Sequence, residues 1–114
     1  MLVKLADLSA EELLAMVGLA KLVVRADKEL SSDEAKALRD LASECGDEAW
    51  NVALGEAQRR FRTRSDAMFY AKNVTRSEAR VAIHGAMVKL GESDEIVPEE
   101  QKVLDWLAEL WELS

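Results

Sequence analysis

The chain has one cysteine, Cys45, one histidine, His84, and one proline, Pro98, in 114 residues. A lone cysteine excludes an intrachain disulfide and a thiolate zinc cluster, and it suits a reducing compartment, so a cytoplasmic location is expected. A lone histidine excludes the His-Glu-x-x-His zinc motif. Gly-rich phosphate loops and Gly-x-Ser-x-Gly are absent as well. Helical spacing sets His84 beside a mainly apolar face running from Val81 to Val88, and Cys45 falls at a helix C-terminus, whose dipole raises a thiol pKa. The expectation is therefore a protein that is not an enzyme. The longest apolar stretch, Leu13 to Val24, is interrupted by Lys21 and preceded by Glu11 and Glu12, too short for a membrane span. The opening MLVKLADLSAEE has no cleavage-site pattern, which argues against a signal peptide. Alternating apolar patterns and Asn-Gly or Asp-Gly hairpin signals are missing, so no strand is expected.

What is present begins with charge. The length suits one domain spanning residues 1–114, large enough to bury a core without staples. The net charge of −7 is unevenly spread. Between residues 59 and 80, Arg59, Arg60, Arg62, Arg64, Lys72, Arg76 and Arg80 stand against Asp66 and Glu78, a local +5 that leaves −12 for the rest. Such a field can steer a partner to one face, or can let a basic middle fold against acidic ends.

One pattern occurs twice. Residues 10–44 read AEELLAMVGLAKLVVRADKELSSDEAKALRDLASE, and residues 77–112 read SEARVAIHGAMVKLGESDEIVPEEQKVLDWLAELWE. An offset of 67 aligns Glu11 with Glu78, Ala15 with Ala82, Gly18 with Gly85, Val23 with Leu90 and Asp27 with Asp94. After a one-residue deletion, an offset of 66 aligns Glu34 with Glu100, Leu38 with Leu104 and Leu41 with Leu107. One such helical pair could not bury its own apolar face, so two copies imply duplication inside one domain.

The expected fold is all-α, about six helices, with two repeated helix–acidic loop–helix hairpins and a two-helix insertion from about Gly46 to Val74. Ser9 with Glu12 forms a capping box that opens a first helix from Ala10 to Arg25, apolar over most of its circumference and hence central. Ser31 with Glu34 and Thr75 with Glu78 repeat the box before the second and fifth helices. Gly46 reads as a terminator, and Asp47 as the cap of a third helix carrying Trp50, Ala53, Leu54, Ala57 and Phe61 on one face. A short fourth helix from Ser65 to about Lys72 is expected to turn Met68 and Phe69 inward. The fifth, ended by Gly91, is expected to bury Val81, Ile83, Ala86, Met87, Val88 and Leu90, and Pro98 fits the first turn of the sixth.

The two loops cluster carboxylates as a hard cation such as calcium requires. Neither is an EF-hand: counting from Asp27 puts Ser32 at the obligatory glycine and Leu38 at the bidentate glutamate, and counting from Asp94 puts Ile96 and Pro98 at ligand positions. The stretches Ala26-Asp27-Lys28-Glu29-Leu30-Ser31-Ser32-Asp33-Glu34 and Ser93-Asp94-Glu95-Ile96-Val97-Pro98-Glu99-Glu100 resemble instead the TerB-like family of tellurite-resistance and related helical domains. In that family an Ala-Asp-Gly-Glu loop precedes a hydrophobic residue, Ser or Pro, and Glu-Glu. Lys28 stands here where the family carries glycine. The resemblance implies an all-helical fold, a metal-linked acidic site, and a role in stress responses or as an interaction module, and it implies no established catalytic activity. By the same resemblance the candidate divalent-cation ligands are Asp27, Glu29, Asp33 and Glu34, with Asp94, Glu95, Glu99 and Glu100. Acidic residues in a first helical turn also complement the helix dipole, an ordinary account that covers Asp33, Glu34, Glu99 and Glu100 without any ligand.

The other candidate surface is basic and aromatic. Arg59, Arg60, Arg62 and Arg64 interleave with Phe61, Phe69 and Tyr70, while Trp106, Leu110, Trp111 and Leu113 load the last helix with apolar area. The acidic total argues against nucleic acid as the partner and favours another protein. Two apolar sides on a terminal helix leave core packing and a partner or homodimer patch both open at Trp106 and Trp111. Two functions follow: a non-enzymatic TerB-like interaction module with a cation in its acidic loops, or an adaptor working through residues 59–80 and the Trp-bearing helix with no metal.

Overall fold

The computed structural model describes residues 4–25, 32–92 and 98–113. Six helices appear in the expected order: α1 (Ala10–Arg25), α2 (Ser32–Cys45), α3 (Asp47–Arg60), α4 (Arg64–Tyr70), α5 (Ser77–Glu92) and α6 (Pro98–Leu110). Short 3-10 turns occupy Leu5–Asp7 and Ala71–Asn73, and none of the described residues is in a strand. The molecule is nearly isotropic, 31 × 30 × 29 Å.

α1 begins where the sequence sets its cap. The Glu12 N–H donates to Ser9 Oγ at 3.1 Å and the Ser9 N–H to Glu12 Oε1 at 2.8 Å, closing the capping box. Every residue from Glu12 to Ala20 is buried, because α3, α4, α5 and α6 all pack on this one helix. Among the described residues, α2 packs mainly on α3, α5 and the first 3-10 turn rather than on α1, so the first repeat buries its second helix against the other copy.

Several local expectations shift. Gly46 is the cap residue of α3, at φ 102°, in the left-handed region that favours glycine. It turns the chain between α2 and α3 in a single residue, and Asp47 lies inside the helix rather than capping it. α4 starts at Arg64, one residue early, because Thr63 and Asp66 form their own capping box. α5 starts at Ser77, directly after Arg76, whose carbonyl accepts the Arg80 N–H at 3.0 Å, and runs through Gly91 to Glu92.

Two aromatic and aliphatic placements are also corrected. Phe69 is 71% exposed, with the Lys72 ammonium 5.3 Å from its ring centre, while Ala67 and Ala71 face inward. Residues four apart share a helix face and residues two apart do not, and the α4 face that approaches Gly18 of α1 admits only small side chains. Val81 is exposed and Val88 half-buried, so α5 is a one-sided helix, unlike its copy α1. Among the described residues, helices α3 and α4, which cover the remaining sides of α1, have no counterparts packed to a similar extent over α5.

The repeat is also broken at its start. An offset of 67 sets Arg76 opposite Ser9 and buried Ala79 opposite Glu12. Arg76 then pairs with Glu12 itself, Nε to Oε2 at 3.1 Å and Nη2 to Oε1 at 2.8 Å, so the starts of the two repeated helices are tied by a bidentate ion pair. Burial pushes the Glu12 carboxyl up, but the Arg76 guanidinium and the Ser9 N–H outweigh it and hold the group below its ordinary value. A carboxyl held low in the folded state adds stability above its unfolded pKa and loses it as pH falls through the folded value. Glu12→Gln keeps a capping side chain but removes the charge. It is expected to cost about 1–2 kcal/mol at neutral pH. In thermal melts from pH 7 to pH 3, the difference from wild type should shrink below about pH 4.5. A difference independent of pH would show that the ion pair contributes nothing.

Candidate functional site

The eight candidate ligands divide three ways. Asp27, Glu29, Asp94 and Glu95 lie outside the described residues. Asp33 and Glu99 are exposed in the first turns of α2 and α6, as dipole-compensating carboxylates ordinarily are. Glu34 and Glu100 are different: they occupy equivalent places in the two repeats and are only 2% and 1% exposed. Together with Glu12 they are the buried charged side chains among the described residues. A dipole does not require such burial, and carboxylates this deep are rare unless paired.

Glu100 shows what surrounds such a group. A Cβ added at Gly91 would lie 3.8 Å from Glu100 Oε2, 3.5 Å from Leu104 and 3.8 Å from Val23. This carboxylate oxygen therefore sits against the last turn of α5, among aliphatic side chains. Carboxylate oxygens suit calcium or magnesium rather than a soft metal. No group of three or more His, Cys, Asp or Glu side chains converges among the described residues. Any complete shell would therefore draw on the loop residues as well.

The basic segment divides into engaged and open arginines. Arg59 and Arg60 both pair with Glu56, at 2.5 and 2.8 Å, and Arg60 lies 5.9 Å over the Tyr70 ring. Arg62 and Arg64 are exposed and make no ion pair with a described carboxylate. Trp106 is half-buried against the core. Trp111 is 3% exposed, and its indole N–H donates to the Ala71 carbonyl at 3.2 Å, so this tryptophan is core and a tie to the second 3-10 turn.

Burial, and then the neighbouring Glu44, push the Cys45 thiol up to about 11, leaving it protonated and inert at neutral pH. His84 is half-buried on α5. Sequence reasoning missed the Glu12–Arg76 pair, since its members are 64 residues apart, and it missed a cleft beside α1 where Lys21 meets Arg62 and Arg64. The available signal for that cleft was Lys21 itself, a lone charge inside an otherwise apolar run.

Among protein families, the model described as Tellurite resistance protein TerB matches residues 13–114. No curated protein and no solved structure matches the chain.

Proposed function

The chain belongs to the TerB family, and from that premise we propose that it is a non-enzymatic interaction module which recognises another protein in a stress-response or regulatory assembly, with a divalent cation held by its two acidic loops. The observation that carries the cation reading is the repeated burial of Glu34 and Glu100, one in each copy, directly after an acidic loop. The oxygen-only donor set selects a hard ion. The protonated Cys45 thiol supports the non-enzymatic part.

Calorimetric titration with calcium, magnesium and manganese tests the reading on wild type, on Asp27→Ala/Asp94→Ala and on Glu34→Gln/Glu100→Gln. Wild type should bind with measurable heat, and its stability should rise by about 2.7 kcal/mol at an ion concentration one hundred times the Kd. Both double variants should lose that response while keeping their helical signal. Absence of heat and of any change in Tm for wild type would remove the cation from the function.

A further inference from the structure

We infer that the cleft between α1 and the turn joining α3 to α4 is a binding site for a phosphate group. The cleft has a volume of 250 Å³ and is lined by Lys21 from α1, by Phe61, Arg62 and Thr63 from the turn, and by Arg64, the first residue of α4. Among the described residues that line it, three are basic and none is acidic, in a chain with 22 acidic and 15 basic residues. That segregation is the first observation.

The second is how the charges of the turn are committed. Arg59, Arg60 and Arg76 each engage a carboxylate, whereas Arg62 and Arg64 engage none among the described residues. The acid closest in sequence, Asp66, is directed at the backbone: its Oδ2 accepts the N–H groups of Arg62 and Thr63 at 3.0 and 3.1 Å. Thr63 Oγ1 accepts the Asp66 N–H at 3.2 Å, which leaves its hydroxyl proton to donate elsewhere. The turn is thus shaped by its own backbone bonds, and two guanidinium groups and a hydroxyl remain for a ligand.

The third is rigidity beneath the cleft. The Phe61 ring lies so close to α1 that a Cβ at Gly18 would be 2.8 Å from its Cε2. Phe61 also stacks at a tilt on Tyr70, with ring centres 5.3 Å apart. The residue just before Arg62 is therefore fixed against two helices, and the basic side chains start from a defined position.

Guanidinium forks bind tetrahedral oxyanions through paired N–H donors, and an ammonium adds a point charge. One cleft on an otherwise acidic molecule suits a single phosphate group rather than a polyanion track, which the net charge of −7 would repel. The phosphate can belong to a soluble phosphate ester or to a lipid headgroup. This site shares no residue with the acidic loops, so it stands or falls separately from the cation.

Amide NMR titration of the full chain with inorganic phosphate and with glycerol 3-phosphate, against chloride at matched ionic strength, tests it. Saturating shifts are expected at Gly18, Lys21, Arg62, Thr63 and Arg64, with affinity weakened at least tenfold in Arg62→Gln/Arg64→Gln and in Lys21→Met. Arg62 and Arg64 are exposed, so the double variant keeps its fold and the loss reads on the site. In parallel, sedimentation with phosphatidylcholine vesicles with and without phosphatidic acid separates the sources: saturation by the soluble phosphates assigns a free ligand, and capture by phosphatidic acid alone assigns a headgroup. Shifts no larger than those from chloride together with no vesicle capture, or undiminished affinity in the double variant, would overturn the site.

Discussion

Trp111→Ala is expected to destabilise the domain by about 3–5 kcal/mol, the range for removing a buried large aromatic side chain. The midpoint of thermal unfolding should fall on the order of 10–20 °C. The indole is 3% exposed, and it sits one residue beyond α6, where its Nε1–H reaches the Ala71 carbonyl. Three backbone features hold it there. The Trp111 N–H donates to the Leu107 carbonyl at 3.0 Å, the Glu112 N–H to Glu109 at 3.2 Å and the Leu113 N–H to Ala108 at 2.8 Å. With Glu112 at φ 55°, this is a Schellman ending that folds Leu113 back onto the core. Truncation therefore removes packing and also one of the two donors to the Ala71 carbonyl, which keeps the Val74 N–H at 3.2 Å.

Two companions separate those contributions. Trp111→Phe keeps a six-membered ring but loses the hydrogen bond and the volume of the indole's second ring, with an expected cost of about 2–3 kcal/mol, between wild type and Trp111→Ala. Trp106→Ala removes an equally large but half-buried side chain and should cost clearly less than Trp111→Ala. Denaturant unfolding of the three variants gives the ordering. Equal, small losses at Trp106 and Trp111 would mean that the chain end does not dock as described.

The parts of the fold that were legible in the sequence are those fixed by local chemistry. The bounds of α1 follow from Ser9 and Glu12, whose mutual hydrogen bonds need nothing outside four residues. Pro98 likewise marks the first residue of α6. The family was legible too, because the two loop motifs and the helices around them repeat in order along the chain. What failed to read was anything decided by a neighbour. Phe69 looks like a core residue until Ala67 is seen against Gly18, which leaves no room for an aromatic on that side of α4. Val81 matches the apolar load of α1 by position, yet among the described residues nothing equivalent to α3 and α4 covers α5 to a similar extent.

The candidate site follows the same division. Helix position predicts acidic residues at the starts of α2 and α6 and places Asp33 and Glu99 correctly at the surface. Helix position does not predict that Glu34 and Glu100, one residue further on, are buried. A turn of 100° per residue carries them from the solvent side to the core side, and which side is core depends on where α5 and α1 lie. Trp111, by contrast, was left open between core and partner surface, and a single long-range hydrogen bond to Ala71 assigns it to the core.

Gly18→Val is expected to cost about 2–3 kcal/mol, the scale of overpacking in a closed core. Its repeat counterpart Gly85→Ala is expected to add about 0.5–1 kcal/mol, the helix-propensity gain of alanine over glycine. Both glycines lie inside helices at matching positions, so propensity alone predicts a gain at each. Sterics reverses the sign at Gly18, where the first added carbon already lies 2.8 and 3.0 Å from the Phe61 ring and 3.4 Å from Ala67 Cβ, while Gly85 has no atom within 4 Å of that position. Movement of the ring away from α1 is opposed by Tyr70, whose ring centre lies 5.3 Å from that of Phe61. Chemical denaturation of the two variants decides the point, and stabilisation by both would show that Phe61 does not rest on α1. Because Phe61 is also the floor of the basic cleft, Gly18→Val should weaken phosphate binding along with stability, whereas Gly85→Ala should leave it unchanged.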